Sequence, residues 1–405
     1  GGTFKEIRKL KFKCIEVSKF TNFPEILNGR LKTLHPKIHA GILNNREKKS
    51  HLKDLKTNNF ENIDLVIVNF YPFEKTLNKT RSHKKIIENI DIGGPTMVRS
   101  AAKNYNDVTI ITSPNQYEEL IEELKKFKGS TSLNFRENLS KIAFSETAYY
   151  DSIISDYFNK KTNTIFPKKK IFHGNLKEQL RYGENPHQKG AIYSINSDTN
   201  LKQINGKQIS YNNYNDIFSA LTISKSLPKG KGTVIVKHTN PCGVSAKKNH
   251  LESYKSALSC DPVSAFGGIV SCNFKITKNL AVELNKLFLE VIIANGFDNN
   301  AVKILRAKKN LRLIDSTNYI SKEFLKFISF NDEMMIQSND TILFSEKNFK
   351  IVSKKKPTTK QIKDLIFAFN VCKYVKSNAI VLASNETTVG IGSGQPSRLD
   401  SCQIA

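Results

Sequence analysis

The feature that most constrains the fold is an alternation of short apolar segments with amphipathic helical patterns. In the first part of the chain, "IDLVIVNFY" (63–71) and "DVTIITS" (107–113) are rich in β-branched residues and bounded by polar turns. Such segments are typical of short buried strands. Helical patterns follow at 115–127 and 132–158. Strands that alternate with helices predict a mostly parallel sheet.

A polar segment divides this pattern in two. Residues 159–170, "NKKTNTIFPKKK", are rich in Lys, Asn and Thr, as linkers often are. Beyond them lie further strand-like segments with helices between them: "GTVIVKH" (232–238), "FGGIVSC" (266–272), "EVIIANG" (290–296) and "NAIVLAS" (378–384). A chain of 405 residues suggests two or three domains, at about 150 residues each. We therefore predict two α/β domains, at 1–165 and 171–405.

The second part also contains a weak internal similarity. The segment "AIVLASNETTVGIGSG" (379–394) repeats the strand, polar turn and glycine layout of "VIVKHTNPCGVS" (234–245). The match is too short to establish a repeat by itself. It predicts that the two segments form similar local structures.

Composition argues against several classes of protein. No apolar run approaches the roughly 20 residues of a membrane helix, and the first residues, "GGTFKEIRKLKFKC", have no apolar signal core. We therefore expect a cytoplasmic protein with no membrane partner. The six cysteines are widely spaced and form no Cys-x-x-Cys pair. This spacing favours free thiols over a disulfide framework or a structural zinc site.

The formal net charge of +26 raises the question of nucleic-acid binding. Lysine is spread along the whole chain, including the segments 160–170 and 353–360, and no nucleic-acid signature with interleaved aromatic residues occurs. A solvated lysine-rich surface explains the charge, and attraction of small anionic substrates is a second explanation. We expect no nucleic-acid partner, and a basic RNA-binding protein remains the alternative from another class.

The stretch "IVKHTNPCG" (235–243) is the most ambiguous motif. An apolar strand ends in Lys237 and His238, and a Pro-Cys pair follows. The segment fits a nucleophile site, half of a zinc site, or a strand that simply runs into a turn. Local pattern alone does not decide between these.

The loop "NGRLKTLHPKIHAGIL" (28–43) concentrates cations and hydroxyls in the first part of the chain. Such groups suit a phosphate or a developing oxyanion. A basic surface turn is the alternative. The residues concerned are Arg30, Lys32, Thr33, His35, Lys37 and His39.

Two further loops carry polar residues near predicted element ends. "NFYPF" (69–73) ends a strand, which places Asn69 and Tyr71 where ligands bind in parallel sheets, although a packed aromatic turn is the alternative. In "NIDIGGPTMVRSAAKNYNDV" (89–108), two glycines, Pro and Thr open a helix whose free N–H groups suit an anion. Asp91 stands at the edge of this loop, with Lys103 about two helical turns further on.

Together these motifs resemble a known family. "GRLKTLHPKIHAGIL", "NFYPF" and "NIDIGGPTMVRSAAKN" are similar to the cyclohydrolase half of the AICAR transformylase/IMP cyclohydrolase family. The transformylase half of that family is resembled by "LRYGENPHQ" (180–188), "VKHTNPCGV" (236–244), "DPVSAFGGIV" (261–270), "KSNAIVLA" (376–383) and "GIGSGQPSR" (390–398). The similarity runs nearly end to end and in the same order.

The resemblance implies a fold and two reactions. It implies a methylglyoxal-synthase-like parallel-sheet domain, followed by cytidine-deaminase-like α/β transformylase units of which the second is incomplete. The implied activity is transfer of a formyl group from 10-formyltetrahydrofolate to AICAR, which gives FAICAR, and then dehydrative closure of FAICAR to IMP. Both steps pass through tetrahedral carbon and need oxyanion donors and proton carriers. No catalytic metal is implied.

The resemblance also implies two sets of site residues. For ring closure, it implies Lys32, Tyr71, Asp91 and Lys103 as catalytic residues, with Gly2, Thr3, Arg30, Thr33, Asn69 and Gly93 holding the nucleotide. For formyl transfer, it implies Lys237 and His238 as the catalytic pair, with Arg181, Tyr182, Gly267, Glu290, Asn378 and Arg398 binding AICAR. His187, in "NPHQ", is a further candidate for substrate contact, and a structural turn is its alternative. Under this interpretation His238 is the base toward the AICAR amine, and Lys237 stabilises the formyl oxygen.

The sequence departs from the family pattern at its ends. The family has a strand and a Ser/Lys phosphate loop before "GGT", and a long stretch after "SRLDSCQIA", so the resemblance predicts domains that are truncated at both ends. An alternative is therefore a chain with only one of the two activities, or neither. The resemblance further implies a homodimer whose transformylase sites lie between subunits.

Overall fold

A computed structural model describes residues 2–195, 200–320 and 325–405. The chain divides into two compact units, Gly1–Gly174 and Asn175–Ala405, which we call unit 1 and unit 2. Within the described residues, none of the helices has the length and apolar character needed to cross a membrane.

Unit 1 is mainly helical around a short parallel strand pair. Its elements are α1 (Gly2–Lys9), α2 (Val17–Thr21), α3 (Pro36–Leu43), α4 (Lys49–Asn58), β1 (Leu65–Ile67), α5 (Phe73–Lys79), α6 (His83–Glu88), α7 (Gly93–Lys103), β2 (Thr109–Ile111), α8 (Tyr117–Lys126) and α9 (Leu133–Lys161). Strands β1 and β2 pair in parallel, with Val66 opposite Ile110. The strands and helices predicted for this part are confirmed, and α9 continues to Lys161, into the predicted linker.

Small residues allow the helices of unit 1 to approach closely. Ala101 and Ala102 of α7 are fully buried, and the Ser140 hydroxyl on α9 donates to the Ala102 carbonyl over 2.7 Å. The amide of Asn104 donates to the carbonyls of Ile42 and Asn44. These bonds fix the C-terminal end of α7 against α9 and the end of α3.

Unit 2 contains the larger sheet. Its elements are β3 (Asn175–Leu180), β4 (Gly190–Ser194), β5 (Lys202–Asn205), α10 (Tyr211–Ser226), β6 (Gly232–Lys237), β7 (Asn240–Ala246), α11 (His250–Cys260), β8 (Ile269–Cys272), α12 (Lys278–Leu284), β9 (Val291–Ala294), α13 (Asn299–Arg306), β10 (Arg312–Asp315), β11 (Lys326–Phe330), β12 (Glu333–Gln337), α14 (Thr359–Cys372), β13 (Ile380–Ala383), β14 (Thr388–Gly392) and α15 (Arg398–Ile404).

The six-stranded sheet of unit 2 has the order β5-β10-β9-β8-β6-β7. Strands β10, β9 and β8 are parallel, whereas β5, β6 and β7 pair antiparallel with their neighbours. Every residue of β8 and β9 is buried because helices cover both faces. Ile217 and Leu221 of α10 pack on one face, and Leu280 of α12 packs on the other.

The ambiguous stretch 235–243 forms a hairpin. Strand β6 ends at Lys237, which pairs with Asn240 at the start of β7, and His238 and Thr239 form the two-residue turn between them. The strand β7 is a finding that the sequence did not predict, because its Asn, Pro and Gly residues are poor strand formers. Its residues after Asn240 are all buried, which compensates for their low propensity.

The internal similarity has a structural counterpart. Strands β13 and β14 form a second hairpin, in which Ser384 and Thr387 exchange backbone hydrogen bonds around a two-residue turn at 385–386. This hairpin lies against the first one, since Ser245 and Thr387 form an antiparallel bridge. The repeated sequence layout thus corresponds to two neighbouring hairpins of the same kind.

Candidate functional sites

In unit 1, the loop around Thr33 meets the start of α7. A Cβ at Gly93 would meet the Thr33 hydroxyl, so the absence of a side chain at Gly93 allows the two loops to approach this closely with the Thr33 side chain as it stands. Asp91 lies at the same place, and its Oδ1 accepts a 2.8 Å hydrogen bond from the Gly94 amide. The structure therefore brings Thr33, from the 28–43 loop, next to Asp91 and Gly93, which belong to one loop before α7.

Tyr150 of α9 contacts the loop that carries Asp91. The Asp91 amide donates to the Tyr150 hydroxyl over 2.8 Å. Burial raises the pKa of Tyr150, and the nearby Asp91 carboxylate and Tyr71 phenol add smaller electrostatic contributions. Tyr71 itself is 56% exposed, so its hydroxyl is open to a ligand. Tyr150 is a site residue that the sequence did not reveal, because it lies inside a long regular helix.

The predicted cations of this loop form ion pairs. Lys32 Nζ lies 2.7 Å from Glu25 Oε2, and this bond raises the pKa of Lys32 and lowers the pKa of Glu25. Arg30 forms an ion pair with Glu88, and both side chains are more than half exposed. To bind a ligand, each cation must either leave its carboxylate partner or contact the carboxylate and the ligand at the same time.

Other polar residues of 28–43 have local structural roles. The His35 ring accepts from the Lys37 amide and caps α3. The ammonium group of Lys37 lies over the Phe20 ring at 4.7 Å. His39 Nδ1 contacts the Ser100 hydroxyl at 3.1 Å, and burial lowers the pKa of His39. These three residues therefore stabilise the loop.

The remaining predicted residues of unit 1 are less closely associated with this group. Asn69 is exposed and donates to the Tyr117 hydroxyl over 3.1 Å. Gly2 and Thr3 lie exposed at the start of α1. Lys103 ends α7, ten residues after Gly93, which places it about 15 Å along the helix axis at about 1.5 Å per residue. The predicted spacing of two turns from Asp91 was therefore wrong.

In unit 2, the second group of predicted residues lines one cavity of about 710 Å³. Six of the nine predicted residues line it: Arg181, Tyr182, Lys237, His238, Gly267 and Glu290. The cavity lies where β6 ends and where β8, β9 and β10 begin. Because β6 runs antiparallel to β8, the carboxyl end of one strand meets the amino ends of three others here.

Lys237 and His238 differ in how they are held. The Lys237 side chain donates to the Phe266 carbonyl over 2.8 Å, which leaves two of its three donors for a ligand. The His238 side chain is exposed in the hairpin turn, and its ring has no hydrogen-bond partner among the described residues. Both ring nitrogens are therefore available to a ligand.

The charge of the cavity lining favours an anionic ligand. Among the described residues that line the cavity, six are basic and two are acidic: Arg181, Lys207, Lys237, Lys308, Lys309 and Arg312, and Asp216 and Glu290. Arg312 Nη1 lies 2.7 Å from Glu290 Oε2 and is almost fully buried, and its other nitrogens donate to the Gln208 carbonyl. This pair fixes the orientation of the Glu290 carboxylate at the cavity wall.

Three predicted residues do not line the cavity. His187 lies in an exposed turn that is closed by a 2.7 Å bond from the Gly183 amide to the Gln188 carbonyl. The Asn378 side chain donates to the carbonyls of Gln395 and Pro396. Arg398 is exposed at the start of α15. In this arrangement Asn378 holds the loop that precedes Arg398.

Sequence reasoning missed several cavity residues. Asp216 lies on α10 and Arg312 at the start of β10, and neither stands in a motif that we singled out. The repeat offered a signal for Asp216, since Asp216 and Asp364 are each the sixth residue of the helix that precedes a hairpin. No comparable signal marks Arg312.

Cys242 does not have the properties of a nucleophile. Burial raises the pKa of its thiol to about 12, and the Asp261 carboxylate adds to the effect. Among the described residues, no group of three or more His, Cys, Asp or Glu side chains is arranged to hold a metal ion. Of the functions considered for 235–243, the geometry therefore favours one carried by Lys237 and His238.

Comparison with known proteins gave consistent matches along the chain. The family model described as AICARFT/IMPCHase bienzyme matches residues 101–405, and the model described as MGS-like domain matches residues 1–96. These matches confirm the predicted fold class.

Curated relatives match over almost the whole chain. The bifunctional purine biosynthesis protein PurH of Thermoanaerobacter sp. is 45% identical, over 98% of this chain and 79% of its own length. The PurH proteins of Rhodospirillum rubrum and Persephonella marina are 43% and 44% identical, over 100% of this chain and 78% and 80% of their lengths. A crystal structure of ForH shares 29% identity over 39% of this chain and 82% of that one, with a TM-score of 0.34.

Proposed function

The chain belongs to the AICARFT/IMPCHase bienzyme family, and from this premise we propose which of its residues carry each reaction. The family performs the last two steps of IMP biosynthesis, formyl transfer to AICAR and ring closure of FAICAR, and this chain is such a bifunctional enzyme. The proposal assigns ring closure to the predicted domain 1–165 and formyl transfer to the predicted domain 171–405.

Formyl transfer requires a base, because the AICAR amine is a poor nucleophile. His238 takes the amine proton as the nitrogen attacks the formyl carbon, since its exposed ring lines the cavity. The bond between the formyl carbon and N10 of the tetrahydrofolate then breaks, and the protonated His238 ring gives its proton to that departing nitrogen. Lys237 stabilises the negative charge that develops on the formyl oxygen. The Phe266 carbonyl holds its ammonium group 2.8 Å away and so limits its freedom before the reaction.

AICAR binding follows from the charge of the cavity. The nucleotide phosphate is an anion, and Arg181 with its neighbouring lysines supplies the positive potential that attracts it. The Tyr182 ring and the Gly267 backbone form the adjacent wall, and Glu290 accepts hydrogen bonds from ribose hydroxyls or the amine. Asn378 and Arg398 complete the site through the 395–398 loop, and His187 belongs to the same set.

The formyl donor is a folate. Formyl transfer in this family is folate-dependent, and the proposed co-substrate is 10-formyltetrahydrofolate. The apolar rings of Phe266 and Phe288, 5.2 Å apart beside the Lys237 contact, suit the flat pterin of such a molecule. Lys237 and the other basic residues of the cavity supply the positive charge for the reaction. The proposal includes no catalytic metal.

Ring closure is carried by the group around Asp91. The Asp91 Oδ1 atom is engaged by the Gly94 amide, and its second oxygen takes the proton of the attacking carboxamide nitrogen. Lys32 stabilises the oxygen of the formyl group, and Tyr71 donates a proton to the departing hydroxyl, which leaves as water. Lys103, at the other end of α7, is the remaining member of the proposed catalytic set. Arg30, Thr33, Asn69 and Gly93, with Gly2 and Thr3, hold the nucleotide.

A homodimer is the proposed assembly. The hairpin of β11 and β12 exposes a group of apolar side chains, with Ile328, Phe330 and Met335 each more than half exposed. A contiguous apolar surface of this kind is typical of a protein interface, and a second copy of the chain is the partner that the family implies. A strict monomer in light scattering at micromolar concentration would remove this part of the proposal.

The observation that carries the proposal is the cavity that contains both Lys237 and His238. The test measures FAICAR formation and FAICAR consumption separately, in the whole chain and in the double variant Lys237→Ala/His238→Ala. We expect the double variant to lose formyl transfer and to close the FAICAR ring at the normal rate. Formyl transfer within a few-fold of normal would show that the assignment of this cavity is wrong.

A further inference from the structure

The turn that presents His238 has an unfavourable backbone conformation. His238 has a φ of 52° and Thr239 a φ of 63°, so both lie in the left-handed region. Two-residue hairpin turns of this type strongly favour Asn, Asp and Gly, and a β-branched residue there is a genuine outlier. The local sequence therefore does not explain why His238 is held where the cavity needs it.

One carboxylate on α10 compensates for this strain. Asp216 Oδ1 accepts from the Thr239 amide over 2.6 Å, and Oδ2 faces the His238 amide at 3.3 Å. One turn further along α10, the Ser219 hydroxyl donates to the Thr239 carbonyl over 2.8 Å. Helix α10 is fixed against the sheet by its buried apolar face, so the turn is bound to a rigid element.

The second hairpin uses the same arrangement without the catalytic pair. Asp364 Oδ1 accepts from the Glu386 amide over 2.8 Å, and Asp364 and Asp216 occupy equivalent positions in α14 and α10. The second turn begins with Asn385, which tolerates its φ of 54° well. The duplicated hairpins thus provide an internal control, in which the same contact supports a more favourable turn.

We propose that Asp216 is a positioning residue for formyl transfer, which holds the turn so that the His238 ring faces the substrate amine. Lys237 does not depend on this contact, because it is paired with Asn240 in the sheet and bonded to the Phe266 carbonyl. Loss of the carboxylate would release the turn and move His238, while the rest of the cavity keeps its shape. The inference rests on the proposed role of His238.

The experiment compares the formyl-transfer kinetics of four variants of the whole chain: Asp216→Ala, Asp216→Asn, Asp364→Ala and Asp216→Ala/Thr239→Gly. For Asp216→Ala we expect kcat to fall about 10- to 100-fold, the loss typical of a displaced catalytic group. The AICAR KM should stay within about 3-fold, because ground-state contacts persist. Asp216→Asn keeps one acceptor oxygen, so its kcat should fall less than that of Asp216→Ala. Asp364→Ala should stay within about 3-fold of normal kcat.

The Thr239→Gly change separates positioning from direct substrate contact. Glycine adopts positive φ at no steric cost, so the double variant should regain at least about 5-fold of the kcat lost in Asp216→Ala. If Asp216 instead contacts the substrate, the double variant stays as slow as Asp216→Ala, and this result overturns the inference. Equal losses in Asp216→Ala and Asp364→Ala also overturn it, because a general effect on hairpin stability then explains both.

His238→Ala, measured in parallel, distinguishes this inference from the proposed function. Normal formyl transfer in His238→Ala would refute the proposed role of His238. A large loss in His238→Ala combined with normal kcat in Asp216→Ala would refute only the inference. If Asp216→Ala fails to fold, the Asp216→Asn variant, with and without Thr239→Gly, provides the same comparison.

Discussion

The two candidate sites differ in how their charged groups are held. In unit 1, Arg30 and Lys32 pair with Glu88 and Glu25 at or near the surface. In unit 2, Arg312 is 6% exposed, and its partner Glu290 lines a cavity. In unit 1, the charged groups therefore lie on loops and can exchange their carboxylate partners for a ligand. In unit 2, the charged groups are already fixed in the cavity wall.

The difference follows from the structure beneath each site. The strand pair of unit 1 is three residues long, so the site depends on helix starts and loops. Unit 2 has a six-stranded sheet covered on both faces, and several strand ends converge on one point. A rigid framework of this kind fixes catalytic groups before the substrate arrives. Substitutions at the two sites should therefore differ in effect.

The largest expected effect is the loss of formyl transfer in His238→Ala. Removal of a positioned base should lower kcat by about 10²- to 10⁴-fold. Ring closure should stay near normal, because its proposed residues all lie in unit 1. Separate assays of the two half-reactions, normalised to folded protein, measure both. If turnover stays within a few-fold of normal while thermal stability falls, His238 merely ends a strand.

A second prediction concerns the stability of the preformed wall. Arg312→Ala removes the almost fully buried member of an ion pair whose other member, Glu290, is 39% exposed, and it leaves Glu290 and the Gln208 carbonyl without their donor. We expect the free energy of unfolding to fall by about 3 kcal/mol, the lower end for a broken buried pair, because Glu290 retains some contact with water. Urea unfolding followed by circular dichroism measures this. A change too small to detect would mean that water solvates the pair in solution.

A smaller effect is expected at the exposed site of unit 1. Tyr71→Phe removes one hydroxyl and keeps the ring, so nucleotide binding should survive while ring-closure kcat falls at least about 10-fold. Formyl transfer serves as the internal control and should not change. Unchanged ring closure would remove Tyr71 from the catalytic set and leave Tyr150, whose hydroxyl contacts the Asp91 amide, as the candidate.

The smallest expected effect is on stability in Arg30→Ala, which is the counterpart of Arg312→Ala. Its ion pair with Glu88 is solvent-exposed on both sides, and such pairs contribute little to stability. The melting temperature should stay within about 2 °C of normal. A drop as large as that of Arg312→Ala would contradict the distinction between the two sites.

Much of the fold could be predicted from local sequence patterns. Apolar β-branched runs identified β1, β2, β6, β8, β9 and β13, and helical periodicity identified α8 and α9. Strand β7 was not predicted, because its burial and not its composition makes it a strand. The order of the strands in the sheet could not be predicted from local sequence patterns either. The antiparallel pairing of β6 with β8 depends on the path of the chain between them.

The sequence by itself determined the family, the alternation of strands and helices, and the candidates Lys237, His238, Asp91 and Tyr71, because each depends on residue type and local spacing. Only the tertiary structure decided which other groups hold them. Asp216 reaches the Thr239 amide across 23 residues, and Tyr150 reaches the Asp91 amide across 59. Such contacts form because helices pack on strands in one particular register, and local periodicity contains no information about that register.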